Sequence, residues 1–268
     1  VYLDNVRVET ACCTSGNDCN DGLGCTADSC VSGQCSHQDL CTNCIRRQTS
    51  AVLVLDASAS MNANAGGKTR WQRIVEASSA LLDSYDFKTN LGVKVFPTGT
   101  GSCGVNSGLD LDFHSPVETI APTLGAVTPA GQSPIAAALA EVEKAYLTTG
   151  AQLQAGNKYA ILVTDGLDSC GGEAAQQINT LFGIGVRTIV VAFDSPASKK
   201  GLSDMALAGR LSKARTAATD PIYIQVENGV DVQKALQEAL DLTLNELCNG
   251  LDDNCDGQTD EGAPDLAC

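Results

Sequence analysis

A short segment of alternating oxygen donors follows the most apolar run of this 268-residue chain. Asp56, Ser58 and Ser60 occupy every second position directly after the apolar residues 51–55. One carboxylate and two hydroxyls at this spacing can point from a loop toward one place. Hard oxygen donors with little charge suit a hard divalent cation such as Mg²⁺. The segment therefore predicts a metal site, although all three residues are of types that are also common in turns.

Strand and helix patterns alternate through residues 51–245. Continuous apolar runs predict strands that are buried on both faces; they lie at 51–55, 91–96, 159–163, 186–193 and 222–226. Residues 109–113 alternate instead, which predicts a half-exposed edge strand. Helical patterns lie between the strands, at 71–85, 133–146, 173–182, 203–218 and 230–247. This order predicts an α/β fold with a doubly wound, mostly parallel six-stranded sheet that has one antiparallel edge strand.

Two further oxygen donors lie where ligands bind in such sheets, at the carboxyl ends of the strands. Asp165 follows the run 159–163. Ser133 precedes Pro134, and this pair predicts a helix start with a capping hydroxyl. Alone, Asp165 could be a turn residue and Ser133 only a helix cap. Together with the segment after residue 55, they predict a shared site.

In chain order and spacing, residues 49–245 resemble the von Willebrand factor type A domain, the fold of integrin inserted domains. The metal-ion-dependent adhesion site (MIDAS) of that family has Asp-x-Ser-x-Ser after the first strand, a Thr before the middle helix and an Asp after the fourth strand. The resemblance implies that five residues hold the cation, namely Asp56, Ser58, Ser60, Ser133 and Asp165. Ser133 departs from the usual Thr but keeps the hydroxyl. The implied cation is Mg²⁺, with Mn²⁺ or Ca²⁺ as substitutes.

The charges of these donors indicate a binding role. Mg²⁺ takes six ligands and retains waters, so an incoming Glu or Asp can replace one water. We expect an adhesion or ligand-binding protein and no enzyme, because no usual catalytic base lies near the site. The partner would be a protein ligand, or a matrix or surface component, that offers a carboxylate. Two alternatives stay open: a matrix or spacer protein whose metal sites only stabilise the fold and, less expected, a metal-dependent hydrolase with Asp168 as its only spare carboxylate.

Thirteen cysteines fall into three groups. Eight lie in residues 12–44, Cys103 and Cys170 are isolated, and three lie in residues 248–268. Zinc sites favour two Cys-x2-Cys pairs, and only one such spacing occurs, so disulfides in an oxidising compartment are expected. Cys103 and Cys170 both follow strand ends, and we expect them to bond to each other. The eight clustered cysteines allow too many pairings for the sequence to select one.

Two small modules flank the α/β region. Residues 25–37 contain Cys-Thr-Ala-Asp-Ser-Cys and resemble a repeat of slime-mould matrix proteins, which implies a secreted spacer. The tail, residues 246–268, has seven acidic and no basic residues. Its Cys-Asn-Gly-Leu-Asp-Asp-Asn-Cys-Asp-Gly resembles a motif of secreted myxobacterial proteins. Alternating oxygen donors predict a Ca²⁺ loop there, without the bidentate Glu of an EF-hand; they are Asp252, Asn254, Asp256, Gln258 and Asp260. A disordered acidic linker is the alternative.

Domain boundaries follow from these patterns. We expect an end strand of a preceding domain at 1–11, a disulfide-rich module at 12–47, the type A domain at 48–245 and the Ca²⁺ loop at 246–268. An odd cysteine count and a start without Met suggest further domains at both ends. The net charge of −15 disfavours nucleic acid and anionic lipid surfaces as binding partners. No apolar run is long enough to predict a membrane-spanning helix. We expect a secreted or surface-attached bacterial protein.

Overall fold

The computed structural model describes most of the α/β region and a small hairpin before it. The described residues are Ser15, Cys19, 26–39, 49–81, 89–113, 115–149, 157–193, 198–211, 221–226 and 230–243. They belong to two compact units, one with the described residues up to 39 and one with those from 49 to 243. The predicted end strand at 1–11 and the predicted Ca²⁺ loop at 246–268 lie outside the described residues.

The smaller unit contains an antiparallel hairpin of β1 (Thr26–Val31) and β2 (Gln34–Asp39). The turn residues 32–33 both have positive φ angles, 54° and 81°. This backbone conformation matches the right-handed twist of two paired strands. A disulfide joins Cys19 to Cys35, so the second strand is bonded to the segment that precedes the hairpin.

A parallel sheet of five described strands forms the centre of the larger unit. The strands are β3 (Thr49–Asp56), β6 (Thr89–Phe96), β7 (Lys158–Thr164), β8 (Val186–Ala192) and β9 (Ile224–Gln225). Their order in the sheet is β6-β3-β7-β8-β9. A short hairpin of β4 (Asn64–Ala65) and β5 (Lys68–Thr69) follows β3. All eight residues of β3 are buried, as its apolar sequence predicts for a central strand.

Helices cover both faces of this sheet. The described helices are α1 (Arg70–Leu81), α2 (Ile120–Gly125), α3 (Ile135–Thr149), α4 (Ala174–Gly183), α5 (Lys199–Gly209) and α6 (Val232–Leu242). Leu53 and Leu55 pack with α1, α2 and α6, whereas Val52 and Val54 pack with α3, α4 and α5. This arrangement confirms the predicted doubly wound α/β fold. No described helix is long and apolar enough to cross a membrane.

The prediction of an antiparallel edge strand at 109–113 was wrong, because only one residue of this segment forms a strand pair. Leu111 forms an isolated antiparallel bridge with Val93, so the sheet has five described strands where six were predicted. Two residues further along β6, the Val95 amide donates to the Asp110 carboxylate (2.7 Å) and not to a backbone carbonyl. Because a side-chain acceptor replaces the neighbouring backbone, the ladder ends after one pair.

The buried side chain of Lys94 also holds the segment that precedes Leu111 against β6. Its side chain is fully buried, and Nζ donates to the carbonyl oxygens of Asn106 and Gly108, at 2.8 Å each. Nζ also lies 3.4 Å from the Asp110 carboxylate. A buried ammonium group requires such partners, so Lys94 keeps residues 106–110 in place beside the strand.

The strand order reverses between β3 and β7. The chain leaves β3 through α1 to reach β6 on one side, and then passes through α3 to β7 on the other side. At such a reversal the two connecting helices lie on opposite faces, which leaves a crevice at the carboxyl ends of the strands. Asp56 is the last residue of β3 and Asp165 directly follows β7. The fold therefore places both acidic residues at this crevice.

Candidate metal site

Hydrogen bonds join four of the five predicted ligands. The Ser58 amide donates to Asp56 Oδ1 (2.9 Å), the Ser58 and Ser60 hydroxyls lie 3.0 Å apart, and Ser60 Oγ donates to Asp165 Oδ1 (2.8 Å). Ser60 and Asp165 are 105 residues apart in sequence. The parallel sheet thus brings the two predicted halves of the site into direct contact.

Backbone hydrogen bonds connect Ser133 and its neighbour Gly131 to the loops that carry the other predicted ligands. The Ser133 amide donates to Ser169 Oγ (2.9 Å), and the Ser169 amide donates to the Ser133 carbonyl (3.1 Å). On the other side, the Ala59 amide donates to the Gly131 carbonyl (3.1 Å). Ser133 is only 6% exposed, and its hydroxyl bonds to no other residue that the structure describes. It therefore remains available for a ligand.

The Ser133 hydroxyl does not cap helix α3, which corrects the predicted cap. The amide of Ala136, in the first turn, donates to Asp168 Oδ2 (2.8 Å). The other oxygen of Asp168 accepts the amides of Cys170 and Gly172, both at 2.9 Å. A carboxylate is a strong acceptor at the positive end of a helix, so Asp168 takes the capping role from a loop that is distant in sequence.

Thr164 is a site residue that sequence reasoning missed. Its buried hydroxyl donates to Asp56 Oδ2 (2.7 Å) across the pair of strands β3 and β7. The available signal was a hydroxyl residue at the last position of an otherwise apolar strand. The bond holds the Asp56 carboxylate in one orientation, with the Ser58 amide on its other oxygen.

Burial raises the pKa of the Asp56 carboxyl. Hydrogen bonds from Thr164 and Ser58 act in the opposite direction, and the charge of Asp165 adds to the increase. No Lys or Arg among the described residues pairs with Asp56, which is 0% exposed. A divalent cation beside it would favour the ionised carboxylate. The deeply buried, unpaired acid therefore fits a cation site.

The donors also fit the chemistry of hard cations. Two carboxylates and three hydroxyls are the oxygen ligands that Mg²⁺ or Mn²⁺ accepts. Within the described ranges, no three His, Cys, Asp or Glu side chains come together as a metal site. A cation at this crevice would therefore depend on the serine hydroxyls as well as on the acids.

Arg70 is the second residue that sequence reasoning missed. Its Nη1 donates to Asp165 Oδ2 in an ion pair. The guanidinium carbon lies 5.5 Å from the centroid of the Phe193 ring, at the end of β8. Arg70 is the first residue of α1, where the helix dipole disfavours a positive side chain. This unfavourable position was the signal available in the sequence.

Covalent and backbone bonds brace the rim of the site. The predicted disulfide between Cys103 and Cys170 is present and joins the loop after β6 to the loop after β7. The Gln132 amide donates to the Ser102 carbonyl (2.8 Å), which ties the loop before α3 to the same bridge. Three loops that surround the predicted ligands are thus linked to one another.

Replacing Thr164 with Val is expected to weaken divalent-cation binding about tenfold, because a hydrogen bond to a charged group is lost at nearly constant volume. Thr164→Ser keeps the hydroxyl and should bind nearly as the wild type does. Titration with Mn²⁺, followed by electron paramagnetic resonance, measures both affinities. Equal affinities for the Val and Ser variants would show that Thr164 does not orient Asp56.

A family model described as the von Willebrand factor type A domain matches residues 51–167. The matched range includes all five predicted ligands. The uncharacterized protein YwmD of Bacillus subtilis (strain 168) is 30% identical over 170 residues, which cover 59% of this chain and 72% of YwmD. The chain belongs to the von Willebrand factor type A domain family.

Solved structures share the fold. Proximal thread matrix protein 1 from the mussel byssus, described with a zinc-occupied MIDAS motif, has a TM-score of 0.52 and 20% identity; the match covers 72% of this chain and 47% of that one. The pilus adhesin SpaC from Lactobacillus rhamnosus GG has a TM-score of 0.54 and 15% identity, over 74% of this chain and 30% of the adhesin. At these identities the likeness establishes the fold, and the chain spans less than half of either protein.

Proposed function

We propose that this chain is a binding protein that captures a carboxylate of its partner through a divalent cation at the carboxyl ends of β3 and β7. The main observation is the hydrogen-bonded series from Asp56 through Ser58 and Ser60 to Asp165. Sequence-distant donors meet here at the crevice where the strand order reverses. The ligands would be Asp56, Ser58, Ser60, Ser133 and Asp165.

The uncommitted hydroxyl of Ser133 supports this proposal over a purely structural role for the residue. Asp168 already caps α3, so the fold does not use the Ser133 hydroxyl there. A bound cation would supply a coordination position that is open to an oxygen anion. Mg²⁺ is the proposed ion, with Mn²⁺ or Ca²⁺ as substitutes. The proposed partner is a protein, or a matrix or surface component, that offers Glu or Asp.

The proposed location is outside the cell or on its surface. Disulfides in both compact units favour an oxidising compartment. The two proteins of similar fold, a byssus matrix protein and a pilus adhesin, support an adhesion or matrix role. In this proposal, the disulfide-rich module and the predicted Ca²⁺ loop serve as rigid spacers.

The geometry favours binding over hydrolysis. The hydrolase alternative requires a spare carboxylate as its base, and Asp168 was the candidate. Both Asp168 oxygens accept backbone amides, so this carboxylate holds the loops together. A catalytic base needs an oxygen within reach of the proton that it removes.

Retention on beads that bear glutamate side chains tests the proposal, with glutamine-bearing beads as the matched control. We expect retention on the glutamate beads in Mg²⁺, loss of retention in EDTA and recovery when Mg²⁺ is restored. Thermal unfolding should be followed under the same conditions. Retention that is insensitive to EDTA would refute the proposal. A fall in melting temperature with EDTA and no retention at all would support the structural alternative.

A further inference from the structure

Arg70 is the one cationic side chain that pairs with a predicted ligand within the described part of the chain. Its partner, Asp165, has both oxygens engaged: Oδ1 accepts the Ser60 hydroxyl (2.8 Å), and Oδ2 accepts Arg70 Nη1. One of the two negative charges at the site is therefore already neutralised by the protein.

The position of Arg70 is built into the fold. The Asp165 side chain is 4% exposed and the Arg70 side chain 26%, so solvent and salt screen this pair less than a surface pair. The guanidinium also faces the ring of Phe193, which is 1% exposed. A cation over an aromatic ring is attracted by the charge distribution of the ring. Two buried groups thus hold Arg70 beside the predicted ligands.

The position of Arg70 changes the net charge of the site when a divalent cation is bound, a state called the loaded site below. Asp56 and Asp165 alone would balance a divalent cation. With Arg70 included, the loaded site keeps one net positive charge. Coulomb interaction then opposes the incoming metal ion and favours an incoming anion.

We infer that Arg70 determines the specificity of the site, in that it weakens cation binding and strengthens the binding of an anionic ligand to the loaded site. This inference rests on the proposed function and names the residue that makes the site select a carboxylate over a neutral oxygen. The two effects have opposite signs. A residue with a merely structural role would weaken both kinds of binding when it is replaced.

Mn²⁺ affinity provides the first measurement, by electron paramagnetic resonance on the wild type and on Arg70→Gln. We expect Arg70→Gln to bind Mn²⁺ about tenfold more tightly, because the positive charge that is bonded to a predicted ligand is removed. Arg70→Lys keeps the charge and should stay near the wild type. Arg187→Gln is the matched control, since Arg187 is the second residue of β8, in register with Tyr159 near the amino ends of the strands; it should change little.

Acetate binding to the Mn²⁺-loaded protein provides the second measurement, through paramagnetic broadening of the acetate methyl resonance. We expect Arg70→Gln to bind acetate several-fold more weakly than the wild type. Arg70→Met keeps a long, unbranched side chain and repeats both measurements with a second uncharged variant. Thermal unfolding in EDTA verifies that each variant is folded.

The outcomes separate this inference from the proposal on which it rests. Tighter Mn²⁺ binding together with weaker acetate binding supports the role of Arg70. If both kinds of binding weaken, or if neither changes, Arg70 does not set specificity. If the wild type itself binds no Mn²⁺, the proposed metal site is wrong and the inference fails with it.

Discussion

Asp56→Ala is expected to lose more than about 100-fold in Mn²⁺ affinity and to abolish the Mg²⁺-dependent retention on glutamate beads. Asp56 is the most buried of the predicted ligands, and Ser58 and Thr164 hold both of its oxygens. Removal of a preorganised anionic ligand eliminates both charge and geometry at once. Electron paramagnetic resonance and the bead assay measure the two effects. Undiminished retention by Asp56→Ala would make the adhesion mechanism wrong.

Asp56→Asn serves as the companion variant, because it removes the charge at nearly the same volume. In EDTA at neutral pH, we expect it to be more stable than the wild type, since burial raises the pKa of the Asp56 carboxyl above its ordinary value of 3.8. The folded wild type then binds more protons than the unfolded chain, so its stability falls as pH rises through the raised pKa. Urea unfolding over a pH series measures this difference.

The pH dependence of the stability difference between Asp56→Asn and the wild type provides one control, and a variant at an exposed carboxylate provides another. Below the ordinary pKa, both the folded and the unfolded wild type are protonated, and the advantage of the variant should disappear. Asp204→Asn changes a more exposed carboxylate, paired with Lys200, and should shift stability by less than about 0.5 kcal/mol. A wild type that stays more stable than Asp56→Asn at neutral pH in EDTA would contradict the expectation.

Removal of the Cys103–Cys170 disulfide has the second large expected effect. The two cysteines are 67 residues apart in sequence. The chain-entropy relation for a loop of this length gives a loss of about 4 kcal/mol in the free energy of unfolding for Cys103→Ser with Cys170→Ser. Urea denaturation without reductant measures it. The Cys103→Ala and Cys170→Ala pair should give the same loss, because the effect comes from the cross-link and not from the new side chains.

The same double variant should also bind Mn²⁺ several-fold more weakly. Without the bridge, the loops after β6 and β7 must become ordered when the ion binds, and that ordering reduces the affinity. The backbone bond from Gln132 to Ser102 (2.8 Å) remains, so the site should not be lost. A free energy of unfolding within about 1 kcal/mol of the wild type would show that backbone contacts alone order the rim.

Buried apolar runs made the centre of the fold predictable. Residues 51–55 lie within β3, 159–163 within β7, and 186–192 form β8, because strands covered on both faces must be apolar throughout. The segment 109–113 has the alternation of an edge strand, and yet only one pair forms. The carboxylate of Asp110 competes for a strand amide, and alternation of residue types does not report such competition.

The site residues likewise include some that the sequence predicts and some that it does not. Asp56, Ser58 and Ser60 were predictable because their donors alternate within one short loop. The roles of Thr164 and Arg70 depend on contacts with residues 108 and 95 positions away, and no local spacing encodes such contacts. Helix capping by Asp168, 32 residues from Ala136, could not be read from the local signal at Ser133 for the same reason.

The segment beside β6 limits how a partner chain can dock. The Val93 amide donates to the Leu111 carbonyl, and the Val93 carbonyl accepts the amides of Asp110 and Leu111. The Asp110 carboxylate accepts the amide of Val95. Lys94 fastens this segment from the interior. An extended peptide that joined the sheet here would need those backbone groups free. Strand addition at this edge of the described sheet would therefore require the segment to leave β6 first.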